Sequence, residues 1–128
     1  MELSQYMKSI IDMERASVVI CGLDHTILYL NPAAAKNYGA YGGKALEGKS
    51  LMACHNGESR KMIEKVVAWF GESTQNNMIH TFYEEKQNKD GYMVALRDED
   101  GKLIGYYEKH EYRSRETAPF YDFSRSLR

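Results

Sequence analysis

The segment that most restricts the possible folds is residues 17–39, SVVICGLDHTILYLNPAAAKNYG. An apolar run from Val18 to Cys21 meets the polar turn Gly22-Leu23-Asp24-His25, and a second run extends from Ile27 to Leu30. Two apolar runs split by a turn containing Gly and Asp predict a β-hairpin. Asn31-Pro32 then stops the second strand. Asn accepts from the free N–H groups of a helix start, and Pro already has the backbone angle of a first helical residue. Ala33, Ala34 and Ala35 favour a short helix, which Gly39 is placed to end in a left-handed conformation.

The rest of the chain repeats this economy of signals. Ser4 is a cap candidate for an N-terminal helix whose Leu3, Met7, Ile10 and Ile11 form an apolar stripe. Asn56, with Glu58 in the first turn, predicts a helix over residues 58–70. Met62, Ile63, Val66, Val67 and Phe70 lie on its apolar face, Trp69 borders them, and Gly71 is expected to end it. Residues 77–86 alternate, with Met78, His80 and Phe82 on one side and Ile79, Thr81 and Tyr83 on the other. Residues 88–91 read as a turn, after which Tyr92, Val94 and Leu96 oppose Met93, Ala95 and Arg97. Residues 98–101 turn again before a long last strand over 102–112. Two strands before the helices and three after them predict an α+β fold with one antiparallel sheet. The expected division is a helix over 1–15, a domain over 16–112 and a polar tail over 113–128.

Three quoted stretches resemble the PAS family in the family's own order. VVICGLDHTILYLNPAAAKNYG is similar to its opening strand, L-D turn and I-x-Y-x-N-x-A-A stretch. Leu46-Glu47-Gly48-Lys49-Ser50 resembles the GKS that follows its short helices, and residues 97–105 resemble the turn joining its last two strands. The resemblance implies a five-stranded antiparallel sheet with flanking helices and a cavity between the sheet and the 58–70 helix. It implies a sensory or signal-transduction role, regulation of transcription included, rather than catalysis. No cofactor is assigned by it. Residues 58–70 hold no His where haem-binding members place their axial ligand, and the segment matching the flavin motif, residues 48–52, lacks its Cys. The positions that would hold a covalent phenolate chromophore fall on Leu30 and Ala34, which cannot hydrogen-bond it.

Composition narrows the classes. At 128 residues the chain is long enough for one domain, and 43% hydrophobic residues suffice for a core. Seventeen Lys plus Arg against 18 Asp plus Glu leave a net charge of -1, so no electrostatic ground exists for direct nucleic-acid or membrane binding. No apolar run approaches a membrane span and no signal-peptide core is present. With two cysteines and no disulfide framework, the expected location is the cytoplasm.

Cys54-His55 is the sharpest local feature, because a helix start lowers a thiol pKa and His can pair with a thiolate. The alternative is that Cys54 packs as a small apolar group while His55 caps the helix or faces solvent. Met62 and Val66 on the helix, with His80, Tyr83 and Tyr106 on the strands, complete the candidate ligand-binding set; no catalytic or metal site is assigned. Glu108 and His110 share one face of the last strand with Tyr106 and Tyr112. They are either a polar pair inside a cavity or solvent-exposed at the strand's end. His55 beside the helix start suits an anionic or carbonyl-bearing group.

The expected function is a stand-alone sensory module binding a small molecule or a protein partner. It would dimerise through the N-terminal stripe and pass its signal to a separate effector protein. That last expectation follows from residues 109–114, KHEYRS, which stand where many PAS domains carry an Asp-Ile-Thr signature leading to an attached effector. A small enzyme using Cys54 or His55, and a ligand-free dimerisation adaptor, are the alternatives.

Overall fold

The computed structural model describes residues 4–124. Leu3, the first residue of the predicted stripe, lies outside them. In chain order the elements are α1 (Gln5–Met13), β1 (Val18–Gly22), β2 (Ile27–Leu30), α2 (Pro32–Asn37), three short 3-10 turns, α3 (Gly57–Glu72), β3 (Met78–Glu84), β4 (Lys89–Arg97) and β5 (Leu103–Tyr112). The strands form one antiparallel sheet in the order β2-β1-β5-β4-β3. The first and last strands are therefore central neighbours, and α3 packs over the sheet through Ile63, Val66 and Phe70. Val19, Cys21, Ile27, Leu30, Met93 and Tyr106 supply the sheet side of that core.

The caps follow the sequence signals, with local corrections. Ser4 Oγ accepts from Met7 N, and Asn56 Oδ1 accepts from Ser59 N. Asn31 Oδ1 accepts from Ala34 N, with Pro32 at the first helical position. Gly39 does not end α2: it opens a 3-10 turn, and Gly42, with φ 113°, takes the left-handed role. In the hairpin it is His25, at φ 68°, that adopts the positive angle, while Asp24 Oδ1 accepts from Thr26 N. Gly71 lies inside α3, which runs on to Glu72. Nothing lies within 4 Å of a Cβ built on Gly71, so neither space nor backbone conformation makes it a stop. The α3 C-terminus is instead held by Arg97 of β4. Its guanidinium donates to the carbonyls of Phe70 (2.8 Å), Ser73 (3.1 Å) and Asn76 (3.1 Å), tying the end of the helix and the residues after it to the sheet.

Two further corrections bear on the site. Strand β4 begins at Lys89, because the turn is confined to the residues before it and Asn88 takes the left-handed angle, φ 51°. In β3 the strict alternation breaks. His80 pairs with Tyr92 but Phe82 pairs with Gly91, so Thr81 is an extra, bulged residue. The bulge moves Phe82 from the face of His80 to the face of Ile79 and Met93. Helix α1 stands off the core: none of its residues is buried, and Tyr6, Met7, Ile10 and Met13 are exposed. Its last turn is tethered, with Asp12 accepting from the Tyr29 hydroxyl and Ile11 O accepting from Asn31 Nδ2.

Candidate functional site

The inner face of β5 carries the row Tyr106, Glu108, His110. Tyr106 is fully buried, and its hydroxyl meets His25 Nδ1 at 2.8 Å, away from α3. Two residues on, Glu108 sits between Val19 of β1 and Met93 of β4 in the ladder. His110 follows opposite Gly91. Above Glu108 and His110 the helix does not close down onto the sheet, leaving a cavity of about 530 Å³. Met62, Ile63 and Val66 of α3 form its roof and Ile79, Phe82 and Met93 its apolar floor and side. Tyr38, His55, Ser59, Glu108 and His110 bring polar atoms to it.

Gly91 shapes one end of this space. A Cβ built there would meet the Phe82 ring closer than 3.0 Å, so the ring lies across the bare strand backbone, and it meets the His110 ring edge-on at 5.2 Å. The β3 bulge is what delivers Phe82 to that position.

The polar groups are held in an apolar setting. Burial pushes the Glu108 carboxyl above its ordinary pKa, and the His55 imidazole and Tyr38 hydroxyl pull it part of the way back. Its one hydrogen bond among the described residues is a long one, 3.5 Å from the Tyr38 hydroxyl. Among the described residues Glu108 enters no ion pair. Burial, with a smaller contribution from Lys89, brings His110 down to about 4, so its ring is neutral at physiological pH. Among the described residues His110 Nδ1 is buried without a hydrogen-bond partner. A buried polar atom of this kind costs on the order of 1–3 kcal/mol. Two polar side chains facing one cavity, with their hydrogen-bonding capacity largely unused, are unlike the paired groups of a filled core.

The candidate residues fall into three places. His55, Met62, Val66 and His80 line the cavity. His80 does so from the rim, since its ring is hydrogen-bonded to Asp90 Oδ1 at 2.7 Å on the exposed edge strand. Tyr83 and Tyr106 lie elsewhere: the Tyr83 hydroxyl donates to Asn88 Oδ1 on the surface, and Tyr106 belongs to the core below. Cys54 packs against the core behind His55, its thiol raised by burial and then by Glu108. That direction is the reverse of an activated nucleophile. His55 Nδ1 is engaged with Leu51 O at 2.9 Å, and Arg60 Nε holds the same turn through Met52 O and His55 O. Cavity residues outside the candidate set include Tyr38, Ile63, Ile79, Phe82 and Met93. Glu108 and His110 carried the available signal, charge and imidazole in a strand register otherwise apolar. A wider groove of about 660 Å³, between α2 and residues 112–117, is an open surface feature crossed by the Arg15–Glu116 ion pair.

A five-stranded antiparallel sheet with central first and last strands, short helices after the second strand, and one long helix over its inner face is the PAS fold. Solved structures agree. The chain is similar to a C-terminal domain from Streptococcus mutans (18% identity, TM-score 0.64, covering 86% of this chain and 85% of that one). It is similar to a PAS domain from Colwellia psychrerythraea (13% identity, TM-score 0.61, 81% and 91%) and to the PAS domain of Bordetella pertussis BvgS (12% identity, TM-score 0.59, 87% and 86%). No protein-family model and no curated protein matches the chain. Among the described residues no helix is long and apolar enough to cross a membrane.

Proposed function

We propose that this protein is a PAS-type sensory or signal-transduction module that holds a small molecule between α3 and the inner face of the sheet, without catalysing a reaction. The observation that carries this is the cavity itself: apolar walls with two underused polar side chains, Glu108 and His110, facing it. Small-molecule sites usually combine many apolar contacts with few polar anchors. Native mass spectrometry of the freshly purified protein tests it. Wild type is expected to carry a retained small-molecule mass that Met62→Trp, which fills the roof of the cavity from a half-exposed position, removes. Identical spectra with no retained mass in either protein would mean that the cavity serves no ligand.

The signal then passes to a second copy of the chain and to a separate effector protein. Support for the second copy comes from α1, which exposes Met7, Ile10 and Met13 while its last turn is fixed to β2 and Asn31. An exposed apolar helix face of this kind is covered economically by self-association. Light scattering is expected to give a dimer mass for wild type and a monomer mass for Ile10→Asp. A wild-type monomer at high concentration would remove this part of the proposal.

A further inference from the structure

Resting on the cavity assignment above, we propose that the cavity takes an organic cation: a planar molecule whose amidinium or ammonium group donates to Glu108 and whose second polar atom meets His110 Nδ1. The two anchors are i and i+2 on one face of β5, so they stand roughly 7 Å apart along the strand, about the length of a substituted six-membered ring. Between them the apolar walls of Ile63, Val66 and Met93 suit the flat body.

The charge distribution selects the sign. Glu108 has a carboxyl with a single long hydrogen bond and enters no ion pair among the described residues. Lys109, next in sequence, also lines the cavity, but its Nζ is taken up by Glu111 Oε1 at 2.9 Å and lies over the Tyr92 ring rather than on Glu108. Glu108 thus keeps acceptor capacity for a charged donor, since the one lysine of the lining is engaged by Glu111; a carboxylate accepts up to about four hydrogen bonds. At the far end Lys89 lies on the side of His110, so a positive group is directed to Glu108 and a neutral acceptor or donor to the imidazole.

Proton accounting gives the inference its signature. Burial keeps the carboxyl of the empty cavity protonated to higher pH than a free one. Binding a cation converts Glu108-COOH plus ligand cation into a carboxylate–cation pair plus one proton released to solvent. Affinity therefore rises with pH, by up to about tenfold per unit, until the empty site has ionised on its own, and is flat beyond. The groups that face Glu108 are Tyr38 at the end of α2, Cys54 and His55 of the turn before α3, Cys21 of β1, and Tyr106 of β5. Cys21 is pushed up to about 12 and both tyrosines are raised, all chiefly by burial, so they stay neutral.

Benzamidine, benzamide and benzoate are isosteric planar probes that are cationic, neutral and anionic from about pH 5.5 to 8.5. Their binding, followed by protein-observed NMR on the whole chain, tests the inference. The expected result is that benzamidine binds at least about tenfold more tightly than benzamide, with benzoate weakest, and that only benzamidine gains affinity with pH. Glu108→Gln should bring benzamidine to the level of benzamide and flatten its pH response, while benzamide changes by less than about twofold. If benzoate or benzamide binds best, at a site that Met62→Trp blocks, the cavity assignment stands and the cation inference falls. Binding by none of the three overturns the cation inference, while the native mass spectra decide the cavity assignment separately. Should Glu108→Gln not fold, His55→Asn decides: a pH response lost in that variant, with Glu108 intact, overturns the inference.

Discussion

Replacing Asn31 by Ala is expected to cost about 3–5 kcal/mol, the largest effect of any single polar substitution in this chain. The side chain is fully buried and satisfied at both ends. Its Oδ1 accepts from Val18 N and Ala34 N, each at 2.9 Å, and its Nδ2 donates to Ile11 O and Ala16 O, each at 3.0 Å. One amide thus joins the start of β1, the cap of α2 and the end of α1. Alanine takes the side-chain partner from the Val18 and Ala34 N–H groups and from the Ala16 carbonyl, leaves Ile11 O with only the Glu14 N–H, and removes a helix cap worth about 1 kcal/mol by itself. Thermal unfolding should drop by roughly 10–20 °C for a domain of this size. Asn31→Asp separates the contributions. It retains the acceptor that caps α2 but sets an oxygen against Ile11 O and Ala16 O. Amide exchange should therefore accelerate in α1 while α2 stays protected. A loss below about 1 kcal/mol for Asn31→Ala would show that the network is replaced by water at little cost.

The second large effect is steric. Gly105→Ala should destabilise by about 3 kcal/mol or more. Gly105 is buried in β5 opposite Gly22, and a Cβ on it would lie closer than 3.0 Å to the Cys21 carbonyl oxygen. The obstacle is backbone, pinned by ladder bonds on both sides, so it cannot swing away as a side-chain tip could. Relief requires β1 and β5 to part at the centre of the sheet, next to Cys21 and Tyr106. Gly71→Ala is the matched control, since Gly71 is in α3 and a Cβ added to it would have no neighbour within 4 Å. Alanine there, at the last residue but one of the helix, should leave stability unchanged or raise it by up to about 0.5 kcal/mol through helix propensity. Equal melting temperatures for the two alanine variants would refute the steric account.

Gly105→Ala acts where β1 and β5 meet, and that junction also orients the cavity. Moving β5 relative to β1 rotates the row that carries Glu108 and His110. Residues distant from any ligand are therefore expected to alter retention as well as stability, and the two readouts should move together for Gly105→Ala but separate for Met62→Trp.

The local elements were legible in the sequence because their signals act over a few residues. Asn31-Pro32, Ser4 and Asn56 mark helix starts wherever they sit, since a cap satisfies donors within one turn. Alternation gave the strands, and the spacing of Ile63, Val66 and Phe70 gave the buried face of α3. Three things required the tertiary structure. The bulge at Thr81 shifts Phe82 to the inner face, and a one-residue insertion in a ladder leaves no mark in a strand such as MIHTFYE, where large side chains stand on both faces. Gly71 reads as a helix stop, but the helix runs one residue further, to Glu72, and its end is held by Arg97, distant in sequence. The site itself was only half visible. Glu108 and His110 stood out as polar residues in a strand of tyrosines, yet whether such residues face water or a cavity depends on what covers the strand. Here α3 covers it incompletely, and that gap between helix and sheet is a property of packing that no local pattern specifies.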